Sequence, residues 1–335
     1  MKIAINGFGR IGRTFFRAAM EARLNIVAVN DLADLDTLIH LAKYDSTYGE
    51  FPGEIEKAED GFMANGRMIQ FPQEKDPAKL PWKDLDVDVV IESTGVFTEK
   101  EKAVAHLGAG AKYVIISAPA KGDEAVKTFV LGVNEENFNP DTDQIMSMAS
   151  CTTNALTPMA KVLNDVFGIE KAMMSTIHSY TMDQVLQDSP HKDMRRARAA
   201  SQSIIPTTTG ATKATAQVIP DLKDKMDGVS FRVPTPTVSL VDFVALLKKD
   251  VTVEEVNNAF IKAIEDPKLH GALAVCDEPL VSVDFRGNPN GSIIDLLSTQ
   301  VVGGNLVKVI AWYDNELGYS YRLTEFCRFL STKIK

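Results

Sequence analysis

The chain has 335 residues, 45% hydrophobic and 24% charged, with a formal net charge of -9. That length suggests two domains of ordinary size, and the composition is that of a globular protein. The acidic balance argues against general nucleic-acid binding, no apolar run reaches the roughly 18 residues of a membrane helix, and three cysteines without a CxxC argue against a disulfide framework or a zinc ribbon.

A strand pattern begins at once in Lys2-Ile3-Ala4-Ile5-Asn6, so no signal peptide is expected. Sparse cysteines suit a reducing cytoplasm, and no metal site is expected. Ile11 to Ala22 reads as a helix, Asn25 to Asn30 as a strand and Leu35 to Tyr44 as a helix. Asn65-Gly66 between apolar runs predicts a hairpin. Val87 to Glu92 and Tyr113 to Ser117 read as strands around a helix at Glu99 to Leu107. This alternation predicts an α/β domain with a doubly wound, Rossmann-type parallel sheet over residues 1–150.

Beyond Ser150 the pattern changes. A helix starts after Cys151, and strand-like runs follow at Ala172 to Tyr180, Val229 to Val233, Ser239 to Leu247, Leu280 to Phe285, Ile293 to Ser298 and Leu306 to Trp312. Thr252 and Glu255 form a capping-box pattern before a helix at Val253 to Ile264. Such runs predict an α+β domain over 151–317 with a mainly antiparallel sheet. Thr181 to Gly210 has no clear period and reads as a long, functional loop. Gly318 to Leu330 reads as a final helix.

Gly7-Phe8-Gly9-Arg10-Ile11-Gly12 is a GxGxxG run between a strand and a helix, the context that a dinucleotide loop requires. Gly7 allows the turn, Gly9 admits a pyrophosphate and Gly12 lets strand and helix close. Asp31, nineteen residues past Gly12, suits an unsubstituted ribose and so favours NAD over NADP. Cys151 sits at a predicted helix start, where the dipole lowers a thiol pKa. Local sequence leaves two readings of it open, a reactive thiol or a packed one. Cys276 and Cys327 lie in apolar settings and read as packing residues. Among five histidines, His178 ends a strand beside the polar loop and is a candidate base. A structural histidine is the competing reading. His40, His106 and His270 read as surface or half-buried, and His191 lies in the loop.

Ile5-Asn6-Gly7-Phe8-Gly9-Arg10-Ile11-Gly12-Arg13, Ser93-Thr94-Gly95-Val96-Phe97 and Ala149-Ser150-Cys151-Thr152-Thr153-Asn154 together resemble the phosphorylating glyceraldehyde-3-phosphate dehydrogenases. So do Thr208-Thr209-Gly210-Ala211, Arg232-Val233-Pro234-Thr235-Pro236 and Trp312-Tyr313-Asp314-Asn315-Glu316. The resemblance implies that Cys151 attacks the aldehyde and that His178 pairs with the thiolate and serves as base. The thiohemiacetal then becomes an acyl thioester, which inorganic phosphate resolves. It implies that Thr181 and Arg232 bind the substrate phosphate, and that Ser150, Thr152, Arg195, Thr209 and Gly210 bind the attacking one. Without the resemblance, the arginines at 195, 196 and 198 read as a solvated basic stretch. NAD would be held by Gly7, Gly9, Arg10, Ile11, Gly12, Asp31, Lys75, Thr94, Ser117 and Asn315. A cytoplasmic homotetramer is implied, with helix 318–335 returning to the first domain. Erythrose-4-phosphate dehydrogenase is the alternative. Three departures stand out: Ala155 replaces a frequent second cysteine, Met182 is unusual, and Ser189-Pro190 fits some tolerance of NADP.

Overall fold

A computed structural model describes residues 1–334, which divide into two compact units. The first comprises Met1–Phe129, Glu136–Ala149 and the chain from Leu323 onward; the second comprises Val130–Glu135 and Ser150–Arg322. Among the described residues, no helix is long and apolar enough to cross a membrane.

In the first unit, β1 (Lys2–Asn6), α1 (Arg10–Glu21), β2 (Asn25–Asn30) and α2 (Leu35–Lys43) follow in order. A short ribbon, β3 (Tyr44–Asp45) with β4 (Gly49–Glu50), precedes β5 (Ile55–Ala58), β6 (Gly61–Ala64) and β7 (Arg67–Gln70). Then come β8 (Val89–Glu92), α3 (Lys100–Gly108), β9 (Tyr113–Ile116), β10 (Lys127–Thr128) and β11 (Ile145–Ser147). The sheet order is β10-β11-β9-β8-β1-β2-β7-β6-β5. Pairing is parallel from β10 to β7, with an antiparallel β7-β6-β5 edge. All four residues of β8 are buried, as expected of a central parallel strand covered on both faces. The β6–β7 turn is Asn65-Gly66, with φ of 47° and 75°, the two left-handed residues that a tight hairpin favours. The order reverses at β1, flanked by β2 and β8, so a crevice is expected beyond its carboxyl end, where the glycine loop begins. The final turns of the last helix belong here: Phe326 lies 5.6 Å from Phe129, and Arg328 donates to the Ala22 carbonyl.

The second unit begins with α4 (Cys151–Phe167), β12 (Ile169–Ser179), β13 (Ile205–Thr208) and α5 (Ala211–Val218). It continues through β14 (Met226–Val233), β15 (Ser239–Leu247), α6 (Val253–Ala263), β16 (Leu273–Cys276), β17 (Ser292–Asp295), β18 (Gln300–Val302), β19 (Leu306–Tyr313) and the start of α7 (Leu317–Lys333). Its sheet runs β13-β14-β12-β15-β19-β17-β16, with β18 also on β19. Most pairs are antiparallel, but β12–β14 and β16–β17 are parallel. Strict alternation of burial along β15 gives the sheet one core face, and α4 packs on that side against β15, β17 and β19. The capping box of Thr252 and Glu255 forms in both directions.

Four expectations change. Leu280 to Phe285 is not a strand: its exposed Val281 and Val283 give no buried face, and Asp284 accepts from the Val281 N–H to close a 3₁₀ turn. Ile293 to Ser298 leaves the sheet after Asp295, whose side chain accepts from the Ser298 N–H. The long loop contains β13, which pairs with β14. His106 is fully buried rather than at the surface or half-buried, because it sits between the Trp82 indole and the Glu92 carboxylate.

Candidate active site

The glycine loop follows its physical logic closely. Gly7 has φ of 94°, and an added Cβ would lie 2.6 Å from the Thr94 nitrogen. A Cβ on Gly12 would lie 2.1 Å from the Gly7 carbonyl oxygen, so only glycine permits this close packing. A Cβ on Gly9 would meet nothing within 4 Å: that face is open, as an approaching phosphate requires. Gly9 caps α1 without a side chain, and first-turn amides have no intrahelical acceptor. Asp31 accepts from the Phe8 amide at 2.7 Å, which ties the end of β2 to the loop. The Arg10 guanidinium is drawn onto Asp45 at 2.6 Å, so its side chain is committed to the protein.

Beneath the loop lies a buried polar relay. Trp82 donates to His106 Nδ1 at 3.0 Å, so the imidazole proton sits on Nε2 and faces Glu92 at 3.1 Å. Asn6 donates to the same carboxylate at 2.6 Å. The Thr94 amide donates to its other oxygen at 2.8 Å, and the Thr94 hydroxyl bonds there too. Ser117 donates to the Glu92 carbonyl. Lys75 is exposed. The open glycine loop, the bare helix start and the Asp31 carboxylate fit a dinucleotide.

In the second unit, Ser150 caps α4 by accepting from the Thr153 N–H at 3.1 Å. Cys151 is therefore the first helical residue. Its Sγ lies 3.5 Å from His178 Nε2. Parallel pairing of β12 with β14 places Arg232 beside His178 in register, and Arg232 Nη1 lies 2.8 Å from His178 Nδ1. The Ser179 carbonyl is 2.7 Å from the same nitrogen.

The electrostatics differ from the simple helix-dipole expectation. Burial pushes the Cys151 thiol up, and the Arg232 charge offsets this only in part. Burial, reinforced by Arg232, lowers His178 to about 3. Burial likewise pushes Cys327 up and leaves it an inert core thiol.

The phosphate candidates are placed unevenly. The Thr181 hydroxyl bonds to Asp183. Burial alone would raise the Asp183 carboxyl, but that hydroxyl and the Arg232 and Arg196 charges together hold it below its ordinary value. Arg196 pairs with Asp183 and Asp193, and Arg198 with Asp188. Among the described residues, Arg195 alone of the three makes no ion pair, and it is exposed. Thr209 accepts from the Ala211 amide, and Gly210 begins α5 with no side-chain cap. The Thr152 hydroxyl is buried against the Tyr313 hydroxyl at 2.9 Å, which leaves its backbone amide as the group able to meet an anion.

Sequence reasoning missed the supports of this site. Tyr313 bonds to Thr152 and also to Thr176, each at 2.9 Å. Ser239 donates to Asn315 Oδ1 at 2.9 Å and accepts from the Ser179 amide at 3.1 Å. Asn315, 4% exposed, is thereby linked to the strand end that carries His178. Only the tyrosine's place beside Asn315 in a recognised motif could have signalled it.

Comparison with known proteins agrees with this geometry. Residues 1–100 match the glyceraldehyde 3-phosphate dehydrogenase NAD binding domain, and residues 150–315 match the glyceraldehyde 3-phosphate dehydrogenase C-terminal domain. Glyceraldehyde-3-phosphate dehydrogenase of Geobacillus stearothermophilus is 54% identical over 334 residues, covering 99% of each chain. The protein of that name from Priestia megaterium is 53% identical over 334 residues, and glyceraldehyde-3-phosphate dehydrogenase 1 of Bacillus subtilis is 53% identical over 334, again with 99% of each chain covered. The chain therefore belongs to the glyceraldehyde-3-phosphate dehydrogenase family.

Proposed function

We propose that this chain oxidises D-glyceraldehyde 3-phosphate with NAD and inorganic phosphate, giving 1,3-bisphosphoglycerate in glycolysis. The observation that carries the reading is the Cys151 thiol at the start of α4, 3.5 Å from His178 Nε2. Erythrose-4-phosphate dehydrogenase is not favoured, since the full-length relatives carry the glyceraldehyde-3-phosphate dehydrogenase name.

Cys151 Sγ gives its proton to His178 Nε2 and attacks the aldehyde carbon, and that proton passes to the carbonyl oxygen, which becomes the hydroxyl of a thiohemiacetal. His178 Nε2 stabilises the developing oxyanion and then takes the hydroxyl proton as the carbonyl re-forms. NAD, when bound, supplies the acceptor for the hydride that leaves that carbon. The product on Cys151 is an acyl thioester, which phosphate attacks to release the acyl phosphate and the thiolate. Thr181 and Arg232 are assigned to the substrate phosphate. Ser150, the Thr152 amide, Arg195, Thr209 and Gly210 are assigned to the attacking phosphate, where an unpaired guanidinium and helix-start amides suit an oxyanion.

Gly7, Gly9, Gly12 and the Arg10 and Ile11 amides would hold the pyrophosphate, and Asp31 a ribose. Lys75, Thr94 and Ser117 are assigned to the adenosine side and Asn315 to the nicotinamide amide. By the same reading the protein is a homotetramer in the cytoplasm, which light scattering and fractionation would test. Steady-state kinetics test the activity. Turnover should need phosphate and prefer NAD to NADP; faster, phosphate-independent oxidation of erythrose 4-phosphate would refute the reading.

A further inference from the structure

Glu92 is buried, and every group that bonds to its carboxylate from elsewhere is a donor. Two series of hydrogen bonds enforce this, each starting from groups that can act in one way only. The first starts at the Trp82 indole, which donates and never accepts. It donates to His106 Nδ1 at 3.0 Å, so His106 carries its proton on Nε2, 3.1 Å from Glu92 Oε2. The second starts at the Glu74 backbone. Its amide donates to Asn30 Oδ1 at 2.8 Å and its carbonyl accepts from Asn30 Nδ2 at 2.9 Å, which fixes the Asn30 side chain. Asn30 Nδ2 also donates to Asn6 Oδ1 at 2.8 Å, so Asn6 turns its own amide nitrogen toward Glu92 Oε2, 2.6 Å away. The 3.4 Å contact between Asn6 Nδ2 and His106 Nε2 is thus one of two donors converging on one oxygen. At Oε1 the Thr94 amide donates at 2.8 Å. The Thr94 hydroxyl accepts from the Val96 amide at 3.0 Å and donates to Oε1 as well.

These partners come from separate stretches of the first unit. Asn6 ends β1 and leads into the glycine loop, and Asn30 ends β2 directly before Asp31. Thr94 follows β8, and Glu74 precedes Lys75. Main-chain bonds join the same stretches: the Ser93 hydroxyl donates to the Gly7 carbonyl at 2.7 Å, and the Gly7 amide donates to the Asn30 carbonyl at 2.8 Å. Each stretch carries a residue assigned to NAD, namely Gly7, Asp31, Thr94 or Lys75. Glu92 itself is 1% exposed, so it acts on a ligand only through them.

We propose that Glu92 is the positioning residue of the dinucleotide crevice: its carboxylate fixes these stretches in the spacing that NAD requires, and so sets cofactor affinity without a part in the chemistry. The inference rests on the proposed NAD contacts. The place demands a carboxylate. An amide there presents its NH2 either to Asn6 and His106 or to the Thr94 amide, donor against donor in both orientations. The neighbours cannot yield, since Trp82 holds the His106 proton on Nε2 and Glu74 holds Asn30, and through it Asn6, in one orientation. A crevice ordered in this way before NAD arrives has less ordering cost to meet on binding.

Calorimetric titration of the full-length protein with NAD tests this, with urea unfolding run beside it. Glu92→Gln should weaken binding on the order of tenfold to a hundredfold, the range of one hydrogen bond to a charged group, at unchanged stoichiometry. His106→Leu keeps the bulk and loses the polarity, and it should weaken binding in the same range. His106→Gln should stay near wild type, because its amide can accept from Trp82 and donate to Glu92. With NAD saturating, kcat and KM for glyceraldehyde 3-phosphate should be little changed in all three. Unaltered affinity in Glu92→Gln or His106→Leu overturns the proposal, and a reduced stoichiometry there marks a merely structural role. Equal losses in the two His106 variants overturn it as well. Should Glu92→Gln not fold, the His106 pair decides by the same criteria. Wild-type protein that binds no NAD would instead refute the cofactor reading itself.

Discussion

Replacing Tyr313 by Phe removes a single oxygen, yet it should weaken both the fold and the reaction. The phenol is 1% exposed and is shared by Thr152 and Thr176, at 2.9 Å each. Thr152 directly follows Cys151, and Thr176 lies two residues before His178, so one hydroxyl fastens the helix start to the strand that carries the base. Its loss strands two buried threonine oxygens. At about 1 kcal/mol per neutral bond, the variant should lose roughly 2 kcal/mol in urea unfolding. Some slack between Sγ and Nε2 should follow, lowering kcat by roughly tenfold to a hundredfold with KM for substrate little changed. Urea titration and steady-state kinetics read the two effects separately. Stability within about 0.5 kcal/mol of wild type, the range of an ordinary surface change, together with an unaltered kcat, would refute the clamp.

Gly12→Ala should abolish NAD binding in calorimetry or fail to fold, because the new methyl meets the Gly7 carbonyl at 2.1 Å; wild-type affinity would remove the packing argument. Arg195→Ala should raise KM for phosphate on the order of tenfold, the value of one charge-assisted hydrogen bond, and leave KM for aldehyde nearly unchanged. The reverse pattern would move Arg195 to the other anion site. His178 should make the fold sensitive to acid. Its folded pKa of about 3 lies below the ordinary 6.5, so between these values the unfolded chain binds more protons. Stability is therefore complete above pH 6.5 and falls as pH drops, by about 1.4 kcal/mol per unit in this window. Unfolding of His178→Asn followed from pH 7 to 4 should have the shallower slope, and parallel slopes would contradict the burial argument.

What the sequence made legible was local. The glycine loop could be read because each glycine answers a backbone constraint within a few residues, and the Thr252 box because its two partners are three residues apart. The Thr152–Tyr313–Thr176 clamp could not, since its bonds join residues 161 and 137 positions apart. Nor could the meeting of His178 and Arg232, which depends on β12 and β14 pairing in parallel across the whole intervening loop. Helix α5 escaped notice because its eight residues are too few to show a clear helical period and it lies directly after the aperiodic loop. His106 misled because nothing in its own short helix signals burial, while its actual partners, Trp82 and Glu92, come from other segments.

Chemical quench most directly tests the claim that Cys151 carries an acyl thioester. The enzyme is mixed with glyceraldehyde 3-phosphate and NAD without phosphate, quenched in acid, digested and analysed by mass spectrometry. The account predicts one burst of NADH per active site and an acyl adduct on the Cys151 peptide that disappears when phosphate is added. An unmodified Cys151 during that burst, or sustained turnover without phosphate, would contradict it.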